Sequence, residues 1–389
     1  MMNIPFSPPD ISEEEIADVV DTLRSGWITT GPKTKRFEQE IAKTCGTMKA
    51  VCLSSQTACA EMTLRILGVG PGDEVIVPSW TWMATGMAPL YVGATPVFVD
   101  GEKDTFCMDP AAFEAAITPR TKAVIPVHLF GSMADLDKIC AIAAKHGVKV
   151  IEDCAHAHGG KWNGKGVGSF GDVGSFSFQQ SKIMTAGEGG LCTTSDPELF
   201  DRIGRYSHIG YSLGSKQGKP AGPPPQNLDS RNYRCTEFQA VILQDQLERL
   251  EADTLRRQAN ADHLHAELNK IPGVKTQAPG RCATMQNYYV YGITVDPEYL
   301  KEGKTKADVI AALNAEGAVE VFAGWGAVTY KQRLWNVSPE RYRVESFEVV
   351  EDIIQNKIML ADIRWLNGER SLCEKLVEAF RKVMAEYSK

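Results

Sequence analysis

Several features are missing from this 389-residue chain, and each absence excludes a class of protein. It has no run of about 18 apolar residues, so no segment reads as a membrane-crossing helix. Met1 to Glu15 lacks a basic stretch followed by an apolar one, which argues against a secretory leader. The ten cysteines form neither a Cys-x-x-Cys pair nor a Cys/His cluster at metal-ligand spacing. They read as free thiols of a reducing compartment, so a cytoplasmic location and no metal site are expected. No polybasic run offsets the balance of 42 basic against 49 acidic residues, net −7, which leaves nothing to hold a nucleic-acid backbone or an anionic membrane. No Gly-x-Gly-x-x-Gly follows an early strand, which counts against a nicotinamide-dependent oxidoreductase.

What is present is an ordinary globular mix, 43 % hydrophobic and 23 % charged, long enough for two or three domains at roughly 150 residues each. Ser12-Glu13-Glu14-Glu15 spells a capping box, and Ile16, Val19, Val20 and Leu23 follow at helical spacing before Gly26, which predicts a helix. Strands are predicted over 74–77, 96–99, 123–127, 148–151 and 174–178, with helices such as 83–91 and 135–146 between them. This alternation predicts an α/β fold with a mostly parallel sheet, in which ligands bind at the carboxyl edge of the strands. A long helical pattern from Thr236 to Leu268 joins it to a smaller α+β part, with strands at 288–295 and 319–322 and helices at 306–316 and 372–387. The expected division is a large domain over 1–250 and a smaller one over 251–389, with Gly218 to Gln226 as an exposed loop.

Four stretches at predicted strand or helix ends carry chemistry. Gly174 to Lys182 is an alternating strand that places Ser177 on one face and then a lysine in a polar turn followed by glycines. A lysine there can lose hydration, drop its pKa and offer a free amine for Schiff-base chemistry, although a surface lysine in a loop has the same spelling. Val148 to His156 delivers Asp153 at a strand end, where an acid can pair with a protonated ring nitrogen as a pyridoxal phosphate enzyme requires; a helix cap is the plainer alternative. His156 can touch a cofactor or hold the acid, with a satisfied core histidine as the plainer alternative. Ser54 to Ala60 puts small hydroxyl residues at a helix start, where a phosphate can dock, although plain helix capping explains the same letters equally well. Trp82, in Pro78 to Thr85, can stack on a flat ring or simply fill a core.

With these stretches in this order, the sequence resembles the pyridoxal phosphate-dependent sugar aminotransferases of the DegT type, which have fold type I. The likeness runs through Ser25-Gly26-Trp27-Ile28-Thr29-Thr30-Gly31-Pro32, Pro71 to Val75, Pro126 to Gly131, Glu152 to His156, and Ser175 to Phe178 with Lys182 and Gly187-Glu188-Gly189-Gly190. It covers roughly residues 5 to 250. The resemblance implies a large fold type I domain that binds pyridoxal 5'-phosphate, with Lys182 forming an aldimine and moving the proton. Asp153 would pair with the pyridine nitrogen, Trp82 would stack on the ring, and His156 would lie close to it. Gln56, Thr57 and Ser177 would hold the phosphate. Asn232, in Arg231-Asn232-Tyr233-Arg234, would complete the phosphate site of a second subunit, so a homodimer with a shared active site is expected.

The implied reaction moves an amino group from L-glutamate or L-glutamine to the keto group of a sugar, nucleotide-linked sugar or cyclitol. The chain departs from the family at Gln56, where glycine or alanine is usual, and in the tail around Trp325, Trp335, Ile363 and Trp365. Gln179-Gln180-Ser181 resembles the branch that acts on cyclitols and the related aminohydroxybenzoate synthases. A dehydrating lyase of that second kind and a catalytically silent sugar-binding regulator are the competing readings. Retention of Lys182, Asp153 and Ser177 together argues against the silent one.

Overall fold

The computed structural model describes residues 9–215, 219, 222–223 and 228–389. Of the 218–226 stretch, Lys219, Gly222 and Pro223 are described and the rest lies outside. The apolar runs assemble into an eight-stranded sheet in the order Lys49–Leu53, Gly190–Thr194, Val173–Ser177, Lys149–Asp153, Thr121–Val124, Glu74–Pro78, Thr95–Val99, Arg343–Val344. Gly190–Thr194 runs against both of its neighbours and every other pairing is parallel, as the expected α/β class requires. Helices cover the sheet, so every residue of Glu74–Pro78 and Val173–Ser177 is buried. The strand expected over 123–127 ends at Val124, two residues short of Pro126, which has no N–H for the ladder.

The first helix, Glu13–Ser25, carries the expected capping box and ends on Gly26 at φ 75°. Its inward face is not the apolar one. Glu15 and Thr22 are buried, whereas Ile16, Val20 and Leu23 are exposed, because Gln246 and Arg249 draw the Glu15 carboxylate inward.

A second sheet of four antiparallel strands, Val274–Thr276, Val290–Val295, Ile358–Asp362 and Val321–Phe322, packs with the helix Arg370–Tyr387. The helix Glu237–Leu268 spans the gap between sheets, giving Ala240, Leu243 and Leu250 to one core and Ala261, Leu264 and Leu268 to the other. Position 250 therefore lies inside a continuous helix. The chain also returns to the large sheet: Thr329 N–H donates to the Ser79 carbonyl at 2.8 Å, and Arg343–Val344 pairs with Val97 and Phe98.

Candidate active site

Because the strands are parallel, their carboxyl ends lie on one edge, and the polar residues just beyond them converge there. Asp153 ends one strand and Ser177 ends its neighbour, while Ser54 and Ser55 follow Leu53 two strands away. Trp82 lies beyond the Glu74–Pro78 strand as the first residue before the helix Met83–Tyr91, and it is half-exposed.

Asp153 is buried without an ion-pair partner among the described residues. Its carboxylate accepts from the Thr85 hydroxyl at 3.0 Å and from Ala155 N–H at 3.1 Å. Burial raises its pKa, although those two donors and the Lys182 charge oppose the rise. Lys182 sits in the turn after Ser177 with Nζ 4.5 Å from the centre of the Tyr289 ring. Burial brings its amine down to about 8, and the Asp153 charge pulls it back toward the cationic form. His156 stacks on the same Tyr289 ring at 4.1 Å with an interplanar angle of 7°, and its Nδ1 accepts from Phe130 N–H at 3.3 Å. Burial, with the Lys182 charge beside it, holds His156 well below the ordinary imidazole range, so it is neutral at pH 7. The Tyr289 hydroxyl lies 2.9 Å from Ser181 Oγ.

Beside Ser177, the helix Gln56–Ile66 opens on Ser55, whose hydroxyl accepts from Ala58 N–H. Gly190 allows that close approach: a Cβ there would stand 2.3 Å from the Ser55 carbonyl carbon and 2.6 Å from Gln56 N. The Gln56 side chain turns away from solvent and donates to Ser175 Oγ at 3.3 Å, so its unusual size is absorbed inside the fold. Thr57 is half-buried in the first turn. Asn232 is exposed, on a segment fastened to this edge by the Ser54 N–H to Tyr233 carbonyl bond. These features fit an aromatic aldehyde phosphate: a partly buried amine of lowered pKa, a buried carboxylate without an ion-pair partner among the described residues, and a helix start pressed against a glycine.

The sequence pattern of the DegT/DnrJ/EryC1/StrS aminotransferase family matches residues 9–376. The chain belongs to that family. Its fold is accordingly fold type I, and the family is pyridoxal phosphate-dependent. This aminotransferase is 40 % identical over 319 residues to the spore coat polysaccharide biosynthesis protein SpsC of Bacillus subtilis strain 168, covering 80 % of each chain. It is 33 % identical to the pyridoxal phosphate form of Spr1654, a candidate sugar aminotransferase of Streptococcus pneumoniae, with a TM-score of 0.79 over 99 % of both chains. A solved 3-amino-5-hydroxybenzoic acid synthase is 29 % identical with a TM-score of 0.83, over 98 % of this chain and 99 % of that one.

In this aminotransferase Lys182, Asp153, His156 and Ser177 lie at one strand edge, with Gln56 and Thr57 beside it. Sequence reasoning missed Tyr289 and marked Trp325 only as part of a tail that departs from the family. Tyr289 comes just before the strand Val290–Val295, and Trp325, held between Gly324 and Gly326 at φ 75° each, packs on Trp82 at 5.7 Å, Phe130 at 5.4 Å and His156 at 6.0 Å. Thr85, the partner of Asp153, lies in the first turn of the helix Met83–Tyr91 and bonds at 2.9 Å to Thr81, which precedes that helix. His128 and Glu188 take other places. His128 Nε2 is 3.6 Å from Glu152 in the core, and Glu188 is exposed, its carbonyl accepting from Gln239.

Proposed function

We propose that this chain binds pyridoxal 5'-phosphate at the strand edge and moves an amino group from L-glutamate or L-glutamine to the keto group of a sugar, nucleotide-linked sugar or cyclitol. The observation that carries the reading is the partly buried Lys182 in the turn after Ser177, at the same strand edge as Asp153, a buried carboxylate with no ion-pair partner among the described residues. When bound, the cofactor supplies an aldehyde for the amine and a ring that accepts electrons from the substrate carbon. Asp153 would hold a proton on the ring nitrogen, because a positive charge there relieves the cost of its own burial. With a pKa of about 8, Lys182 carries a free amine in about one molecule in ten at pH 7, against fewer than about one in a thousand for an ordinary lysine. Nζ can therefore take up and return a proton near neutrality.

The hydroxyl of Ser177 and the open N–H groups of Gln56 and Thr57 would hold the phosphate, the latter two through the backbone since the Gln56 side chain is engaged. Trp82 would cover one face of the ring, and neutral His156 would lie near it. The exposed Asn232 would reach the phosphate of a second copy, which makes the working unit a homodimer. The similarity to SpsC favours a saccharide acceptor. The similarity to 3-amino-5-hydroxybenzoic acid synthase supports the dehydrating lyase as second reading, which would release water without needing an amino donor.

The test is the visible absorbance of the protein with pyridoxal phosphate, before and after L-glutamate and L-glutamine. A band that bleaches with either donor supports the transfer, and one that bleaches with neither favours the lyase or another amino donor. Lys182→Ala should lose the band and all turnover with unchanged far-ultraviolet circular dichroism; wild-type turnover in that variant would sink the reading.

A further inference from the structure

Thr85 donates to Asp153 Oδ2 at 3.0 Å, and Ala155 N–H donates to Oδ1 at 3.1 Å. A hydroxyl has one proton. With that of Thr85 committed to the carboxylate, the 2.9 Å bond between Thr81 Oγ1 and Thr85 Oγ1 must be donated by Thr81. The side chains therefore form one directed row, Thr81 to Thr85 to Asp153. Its outer end is fastened from the late part of the chain: Thr81 N–H donates to Thr329 Oγ1 at 3.1 Å, and the Thr329 hydroxyl donates to the Thr81 carbonyl at 3.0 Å. All three threonines are buried, none above 1 % exposed, so water does not compete for these bonds.

Hydroxyls at a helix start ordinarily serve the open N–H groups of the first turn. These do not, since the helix Met83–Tyr91 begins on Trp82 and no side-chain hydrogen bond caps it. They run instead to the one anion of the row. Each donation polarises the next hydroxyl, so Thr85 donates more strongly for having accepted from Thr81. An ionised carboxylate has room for about four donors. Asp153 has two among the described residues, which hold it in place and leave room for another N–H. Burial works against its charge, and the Thr85 donor works for it.

We propose that Thr85 and Thr81 are positioning residues for the ring nitrogen of pyridoxal phosphate: their hydroxyls, in series, fix the Asp153 carboxylate and keep it ionised, so that the proton between acid and ring stays on the nitrogen. The assignment rests on the reading of Asp153 as the partner of that nitrogen and extends it to two residues that touch neither cofactor nor substrate.

The test loads the protein at pH 7 with pyridoxal phosphate carrying 15N in its ring and reads that nitrogen's chemical shift, which separates a protonated from a bare ring nitrogen without turnover. Wild type should show the protonated signal. Thr85→Val keeps the shape and removes the donor to Asp153. Its signal should move toward the bare position, and its dissociation constant for the cofactor should rise roughly tenfold, the scale of a lost hydrogen bond to a charged group. Thr85→Ser returns the donor and should return both readings to wild type. Thr81→Val should displace the signal the same way by less, and should add nothing once residue 85 is valine, because its hydroxyl acts only through Thr85. An unmoved signal in Thr85→Val, an equal displacement in Thr85→Ser, or the same Thr81→Val effect in both backgrounds overturns the proposal. If Thr85→Val fails to fold, Thr81→Val alone decides by whether its signal moves. A bare ring nitrogen in wild type overturns the Asp153 reading and the row with it, whereas a protonated wild-type nitrogen that Thr85→Val leaves unmoved overturns the row alone.

Discussion

Lys182 shows how much one side chain's surroundings decide. In the protein without cofactor its folded pKa of about 8 lies below the ordinary 10.5, so the fold binds that proton more weakly than the unfolded chain does. The resulting destabilisation is present in full below pH 8 and fades as pH rises from about 8 to about 10.5. Lys182→Met removes it. Thermal melts without cofactor should therefore find Lys182→Met more stable than wild type at pH 7, with the gap narrowing at pH 10; a gap that widens with pH would contradict the assignment. At this scale Lys182, Asp153 and Ser177 are legible in the sequence because each follows an apolar run that must end at a sheet edge. Tyr289 is not, because it reaches the site from a distant part of the chain: it bonds to Ser181 across 108 positions and no local pattern announces it.

At the scale of elements, the helix Pro32–Cys45 is tied to the strand Lys49–Leu53 by Glu38, whose carboxylate accepts from Cys52 N–H at 2.8 Å. Burial raises Glu38 to about 7, with the Cys52 N–H and the Lys35 charge opposing. The folded protein thus holds this proton more tightly than the unfolded chain, and stability attributable to Glu38 falls as pH climbs from about 4.5 through 7. Glu38→Gln keeps an acceptor for Cys52 and cannot ionise. Its melting temperature should exceed that of wild type by more at pH 8 than at pH 5. Elements differ in how plainly they are written. Periodicity locates the helix Glu237–Leu268 and the central strands to within a few residues, since period and burial agree there. It also locates the first helix, Glu13–Ser25, but not the face it buries, since Glu15 and Thr22 turn inward there and Ile16, Val20 and Leu23 do not. It says nothing of Arg343–Val344, two residues whose partner strand lies far back in the chain.

On the scale of the whole molecule, that short strand binds the late part of the chain to the early part. Glu74, 3 % exposed, accepts from Arg343 at 3.2 Å, from Arg120 at 2.5 Å and from Thr118 at 2.6 Å. Burial alone would raise its pKa, but those donors and the two cations hold it below the usual carboxylate range. Glu74→Ala should cost about 2 kcal/mol, discounted for the solvent around Arg120, and should make residues near Arg343 an early site of limited proteolysis. A digestion pattern identical to wild type would show that the sheet edge holds without this hub. The same strand sets an order on biosynthesis. The edge Thr95–Val99 emerges from the ribosome long before Arg343 and Val344, a delay on the order of tens of seconds at ordinary elongation rates. Throughout that interval the outer edge of this apolar strand lacks the partner that Arg343 and Val344 later supply, so its backbone is open to pairing with a neighbouring nascent chain.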